Sequence, residues 1–322
     1  MIIKDLKVPI SIHFLEALLR RLPPFHPKIP YLKEELNIRQ AGYAGEIAMT
    51  FPLSFLDPKN YHIFRGIRLF DEKYHFQLDI LVLSKQFILI LEVKNYGGII
   101  YFDPVFNQLI QTKEEKERSF PDPLIQAQRH KSQFTKWLAT NGFSEIPIFP
   151  LVIISNPRTI IRTSPDNNSI SNKVIHRDIL PSKIKHFEKS NPLTRFSEKE
   201  IKKIIRLINK QHTEGESSII EHYQIIKSDL QKGVFCPECN YLPTLRRHGT
   251  WYCPKCRSKN KDAHINALND YKLLIGSTIT NSELRDFFIL ESPAAASRLL
   301  QSLNLPFTGT FKNRVHKLSF KD

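Results

Sequence analysis

A mixed α/β (α+β) fold is predicted for this 322-residue chain, with a small cysteine-bearing module toward its C-terminal end, and three observations predict it. Apolar runs of strand length occur at YHIFRGIRLF (61–70), HFQLDILVLS (75–84), QFILILEVKN (86–95) and IPIFPLVIIS (146–155). A helix-patterned segment at 124–142 separates the third run from the fourth. All four cysteines fall between residues 236 and 256.

Composition bounds the class. Two or three domains are expected at this length, because single cores rarely grow beyond ~250 residues. A hydrophobic fraction of 41% with 11% aromatic residues excludes a disordered chain. The net charge of +15 and pI near 9.6 favour polyanionic partners, nucleic acid or anionic lipid alike. No apolar run is long enough to span a bilayer, and FILILEVKN is interrupted by charge at Glu92. MIIKDLKVPISIHF lacks the apolar core and small-residue cleavage site of a signal peptide, so a cytoplasmic protein without membrane contact is expected.

The elements follow in order. SIHFLEALLRRL (11–22) and residues 31–50 have helical apolar spacing, and the four prolines of PPFHPKIP forbid a continuous helix between them. Three strand runs follow, then a polar stretch at 103–121 that reads as loop. Pro123 suits a first helical turn; Leu124, Ala127, Phe134, Trp137 and Leu138 then share one side, and Asn141-Gly142 ends the helix. After the 146–155 strand, residues 156–193 are rich in Asn, Ser and Pro and read as loops around one strand, NKVIHRDI. SEKEIKKIIRLINKQ and SSIIEHYQIIKSDLQK, on either side of HTEGE, read as two helices. The expected division is a helical extension at 1–38, a core at 39–195, a helical connector at 196–230, a cysteine module at 231–260 and a small helical domain at 261–322.

The end of the third strand carries the chemistry. Alternation puts Glu92 and Lys94 on one face, and Gln77 and Asp79 share a face of the strand before. If Lys85-Gln86 is a two-residue hairpin loop, Ser84 pairs with Phe87, Asp79 falls opposite Glu92, and Gln77 falls opposite Lys94. Opposed carboxylates repel unless a cation lies between them, and Mg²⁺ suits two carboxylates with water and phosphate completing its shell. Beside a lysine, this arrangement fits metal-assisted phosphodiester hydrolysis. An edge strand protected by its charges, with an unrelated Asp, is the competing reading.

AGYAGEIAMTFPL, FQLDILVLSKQFILILEVKNYGG and PDPLIQAQRH together resemble the nuclease-related domain (NERD) family of the PD-(D/E)xK nuclease superfamily, over roughly residues 40 to 155. The resemblance implies a restriction-endonuclease-like mixed sheet flanked by helices, with Asp79 and Glu92 as metal ligands for Mg²⁺ or Mn²⁺ and Lys94 as the catalytic lysine. It implies that Glu46 completes the acidic cluster and that Gln126 with His130 corresponds to the Gln-x-x-x-aromatic signature. Leu78 stands where the superfamily's name has Pro. On the residues alone, Glu46 near a helix start would complement the helix dipole, and Gln126, Arg129 and His130 would form a solvated helix face.

Cys236-Pro-Glu-Cys239 and Cys253-Pro-Lys-Cys256, thirteen residues apart, have the spacing of a structural Zn²⁺ site and resemble a zinc ribbon. His248 and His264 lie nearby and are not needed as ligands. Arg246, Arg247, Lys255 and Arg257, among Tyr241, Trp251 and Tyr252, suit phosphate contact and base stacking, with a solvated basic surface as the alternative. Farther on, Thr280 or Asn281 caps one helix, while Ser292 with Pro293 starts a second that carries Arg298. PFTGTFKNRVHKLSF then reads as a β-wing. The arrangement resembles a winged helix-turn-helix, and a helical scaffold or dimerisation unit is the alternative. The expected function is metal-dependent hydrolysis of DNA, with RNA also compatible. A catalytically inactive DNA-binding or regulatory protein that uses the nuclease-like fold as an interaction module is the alternative.

Overall fold

The computed structural model describes residues 1–143, 146–214 and 223–319, and divides into two compact units. The first holds residues 1–8 and 40–216; the second holds residues 9–39 and 217–322.

A six-stranded mixed sheet organises the first unit. In chain order its strands are β1 (Ile2–Lys4), β2 (His62–Phe70), β3 (His75–Leu83), β4 (Ile88–Lys94), and, farther along, β8 (Ile148–Ile154) and β10 (Val174–His176); they lie side by side in that order. β2, β3 and β4 are antiparallel neighbours, whereas β4, β8 and β10 run parallel. β4 is central and its first six residues are buried, as its unbroken apolar run requires. The hairpin register is the one counted from the sequence, through Leu83↔Ile88 and on to Ile80↔Leu91. Lys85-Gln86 is poor turn chemistry by itself. Ser84 makes up for it, accepting the Phe87 N–H at 3.0 Å on its Oγ while donating to the Phe87 carbonyl at 2.7 Å.

Helices cover both faces. Ile88 and Ile90 pack with Phe134, Trp137 and Leu138 of α4 (Pro123–Thr140) and with Ile201, Ile204 and Ile208 of α6 (Glu198–Gln211). Leu89, Leu91 and Val93 face the other way, toward α3 (Thr50–Leu53) and α5 (Leu180–Ser190). β4 alternation therefore aims Glu92 and Lys94 at the α4 side. Midway along β2 and β3 the alternation breaks: Phe64 and Ile67, and likewise Leu78 and Leu81, are three residues apart yet share one core. Gly66 sits inside the break at φ +60°, opposite the position of Asp79.

Three readings of the sequence are corrected. The stretch 103–121 is not loop: β5 (Ile99–Asp103), β6 (Gln108–Lys113) and β7 (Lys116–Pro121) join β9 (Ile160–Thr163) in a second sheet, ordered β7-β6-β5-β9. Its β6–β7 turn is made by Glu114-Glu115, both at positive φ (52° and 62°), where a turn usually announces itself with Asn or Gly. α5 was hidden because Pro181, read as a loop marker, occupies the first helical turn; Leu180, Ile184 and Phe187 give that helix its buried stripe. The segment 217–232 is not the second connector helix where it is described. Tyr223 and Ile225 are buried on alternate residues, and only a short 3₁₀ turn, Lys227–Asp229, follows; residues 217–222 lie outside the described residues.

The second unit contains α1 (Ile10–Arg21) and the larger part of α2 (Ile29–Ile47), whose residues from Gln40 onward belong to the first unit. A three-stranded cysteine module is built from β11 (Leu245–Arg247), β12 (Thr250–Tyr252) and β13 (Lys259–Asn260). α7 (His264–Leu274), β14 (Thr278–Thr280), α8 (Asn281–Phe288) and α9 (Pro293–Ser302) follow. β15 (Phe307–Thr308) and β16 (Val315–Lys317) close a sheet ordered β14-β16-β15. Thr280 caps α8 in a capping box with Glu283, and Ser292 caps α9 ahead of Pro293. Phe320 falls outside the described residues.

Candidate active site and cysteine centre

β3 and β4 part where the acidic residues begin. Their recorded pairing stops at Ile80↔Leu91, while β4 continues on its other edge through Glu92↔Val152 to Lys94↔Ile154. Asp79 bridges the opening, its Oδ2 accepting the Val93 N–H at 2.8 Å. Glu92 is 1% exposed. Its Oε1 accepts from Lys94 Nζ at 2.7 Å, and its Oε2 lies 3.2 Å from His130 Nδ1 without an aligned hydrogen bond. Lys94 Nζ also donates to Gln126 Oε1 at 3.1 Å. Asp122 caps α4 by accepting the Leu124 N–H, so Gln126 and His130, one turn apart, present to Lys94 and Glu92 together.

Glu46 lies in the last turn of α2, where its charge opposes the helix dipole; it does not sit at a helix start. Gly45 lets that turn approach the sheet: a Cβ there would stand 2.7 Å from Asn95 Cβ and 2.9 Å from Ser155 Oγ. Arg65, itself buried, donates to the Glu46 carbonyl and to Thr50 Oγ1 at 3.0 Å, fixing the same turn against β2.

The charges are strained by crowding. Burial, and then the Glu92 and Glu46 carboxylates, push Asp79 well above the usual carboxylate range. Burial, partly offset by Arg65, raises Glu46 to about 7. Burial would raise Glu92 too, but His130 and Lys94 together hold it below its ordinary value. Lys94 is lowered by burial and raised more strongly by Glu92, so it is an ammonium at neutral pH.

This donor chemistry suits a hard divalent cation: oxygen ligands, carboxylates that repel one another, and a buried Glu92 Oε2 with no hydrogen-bond partner. Asp79, Gln126 and His130 line an open cleft of about 420 Å³ together with Tyr74, His75 and Arg129. Sequence reasoning did not place Tyr74 in the site and treated Arg129 only as solvated surface. Arg129 lies three residues from Gln126 on α4, a spacing that could have drawn attention to it.

Residues 41–155 match the nuclease-related domain family. The matched stretch runs from the last two turns of α2 to the end of β8, and so contains all five residues placed in the site from sequence: Glu46, Asp79, Glu92, Lys94 and Gln126. An uncharacterized protein of Bacillus anthracis is 32% identical over 90 residues, which make up 28% of this chain and 42% of that protein. The matched stretch thus spans less than half the length of that relative. No solved structure matches the chain. The nuclease-related domain accounts for about a third of the residues, and the second unit, cysteines included, lies outside it.

The four cysteine sulfurs lie within 4.8 Å of one another, the only such group of three or more His, Cys, Asp or Glu side chains among the described residues. Cys236 and Cys256, and Cys239 and Cys253, are 3.6 Å apart, near the ~3.8 Å edge of a tetrahedron with Zn–S bonds of about 2.3 Å. The two knuckles repeat one backbone: Asn240 and Arg257, each following a second cysteine, take positive φ, and each donates its N–H to the carbonyl of the first cysteine at 2.9 Å. The arrangement is that of a zinc ribbon. His264 accepts from Trp251 Nε1 at 3.2 Å and is no part of the sulfur group; burial pushes it down to about 4. Arg246 lies over the Trp251 ring and Arg247 over Tyr252, at 5.0 and 5.2 Å. Lys255, Arg257 and, on α9, Arg298 are exposed. No described helix is long and apolar enough to cross a membrane.

Proposed function

We propose that the chain is a divalent-metal-dependent nuclease that hydrolyses DNA phosphodiester bonds in the first unit and holds nucleic acid with the second. The observation that carries this reading is the buried Glu92, set between Lys94 and His130 and across a parted strand pair from Asp79, at the edge of an open cleft. Burying Glu92 and Asp79 near each other is costly without a cation to share, and a bound divalent ion would offset that cost.

Asp79 and Glu92 would hold Mg²⁺ or Mn²⁺, with Glu46 behind them; when bound, the metal supplies an activated water and positive charge against the phosphoryl oxygens. Lys94, kept as an ammonium by Glu92, is unsuited to accept a proton. Its role is to donate to the attacking oxygen or to the phosphoryl oxygen as charge develops. Gln126 holds the ammonium through its Oε1, and His130, with its Nδ1 3.2 Å from Glu92 Oε2, lies beside the oxygen that would face the metal. Zn²⁺ held by the cysteine quartet would be structural, since four thiolates leave no open position. Arg246, Arg247, Lys255 and Arg257 on the ribbon, and Arg298 on a helix-turn-helix formed by α8 and α9, would contact the nucleic-acid backbone.

The test is incubation of the purified full chain with linear and circular DNA in Mg²⁺, in Mn²⁺ and in a chelator. Cleavage in either metal and none in the chelator is expected; intact DNA under every metal tried would remove the reading.

A further inference from the structure

We propose that the cleft beside Asp79 binds an unpaired nucleotide of a DNA strand, its base stacked on Tyr74 and its phosphate held by Arg129. The inference rests on the nuclease reading and narrows it to single strands or frayed ends. A cleft of about 420 Å³ has the size of a small-ligand pocket, room enough for one nucleotide.

Its walls have the two chemistries that one nucleotide presents. Tyr74 is 60% exposed at the β2–β3 turn, and the neighbouring His75 ring packs against Phe70 at 4.9 Å. Arg129, exposed on α4, pairs with no carboxylate among the described residues. The turn that carries Tyr74 is fixed before any ligand arrives, and Lys73 Nζ lies over the Tyr74 ring at 5.3 Å. Asp71 Oδ1 accepts the Lys73 and Tyr74 N–H groups at 3.0 and 2.8 Å, and its Oδ2 accepts from Gln133 Nε2 at 3.0 Å, tying the turn to α4. From this wall His75, Gln77 and Asp79 follow along β3 as alternate residues, so a strand seated on Tyr74 is led toward the acidic residues. Paired bases present only their edges, and a ring face must leave the stack to reach Tyr74.

The experiment uses the full chain with zinc kept saturating, a single-stranded oligonucleotide carrying 2-aminopurine, and the matched duplex, with no Mg²⁺ or Mn²⁺ present so that nothing is cut. Wild type is expected to change the fluorescence of the single strand and not of the duplex. Tyr74→Ala is expected to lose that change and to bind the single strand about ten-fold more weakly, with Tyr74→Phe restoring both. Arg129→Ala is expected to weaken binding while keeping the fluorescence change of bound strand. Duplex affinity should be the same for all variants. If Tyr74→Ala matches wild type in affinity and fluorescence, or lowers duplex and single-strand affinity equally, the inference is overturned. Stacking on Tyr74 by a strand that wild type never cuts in Mg²⁺ or Mn²⁺ would keep the binding site and remove the nuclease reading.

Discussion

Asp79 shows at single-residue scale how a site can oppose the fold that carries it. Its carboxyl is driven upward by burial and by Glu92 and Glu46, so without metal it is a liability for stability. Asp79→Asn is therefore expected to leave the melting temperature in chelator unchanged or raised while reducing cleavage by about 100-fold or more; a clear fall in melting temperature would show that the crowding is not real. His264 gives the opposite pH behaviour. Its folded pKa of about 4 lies below its usual 6.5, so the stability it contributes is complete above about 6.5 and is lost as pH falls toward 4. Melting of the second unit with zinc kept saturating should drop across that window, and His264→Gln should remove part of the drop by keeping an acceptor for Trp251 that does not titrate there. Alternation and a counted hairpin made Asp79, Glu92 and Lys94 legible in the sequence. The contact of His130 with Glu92 and the wall of Tyr74 and Arg129 depend on how α4 lies across the sheet, which no local pattern encodes.

Elements that announce themselves by a continuous apolar run or a cap were read correctly: β2, β3, β4, β8, α4 and the caps of α8 and α9. β6 and β7 carry no signal in the sequence because the strands are polar, β6 half-buried and β7 exposed, and turn on Glu114-Glu115, so neither composition nor turn chemistry marks them. Gly66 inside β2 was an unused signal, since a glycine within a strand often marks the point where alternation breaks. Gly45 is the point at which one element limits another. Gly45→Ala would drive a methyl into Asn95 and Ser155 and push the last turn of α2 away from β4. It should cost ~1–3 kcal/mol by the usual penalty for overpacking, and it should lower cleavage through displacement of Glu46. Thermal melting with a cleavage assay checks both, and unchanged values for each would mean that the helix end yields freely.

At the scale of the whole chain, residues far apart in sequence share a unit. Arg21, 0% exposed, binds Asp270 at 2.7 Å and the Gly233 carbonyl at 2.7 Å, which ties α1 to the ribbon and α7 across more than two hundred residues. No sequence pattern could reveal that pairing, because each partner reads locally as an ordinary charged helix residue. Removing zinc with a chelator, or Cys239→Ser, should destabilise the second unit and weaken DNA binding while a melting transition of the first unit persists; a single unchanged transition would contradict a structural zinc site. The central claim concerns the first unit and is tested most directly by comparing cleavage of linear DNA by wild type, Asp79→Ala and Lys94→Ala in Mg²⁺ and Mn²⁺. The account predicts product from wild type and at least about 100-fold less from either variant at equal DNA binding; cleavage by the variants at the wild-type rate, or no product from any of the three, would contradict it.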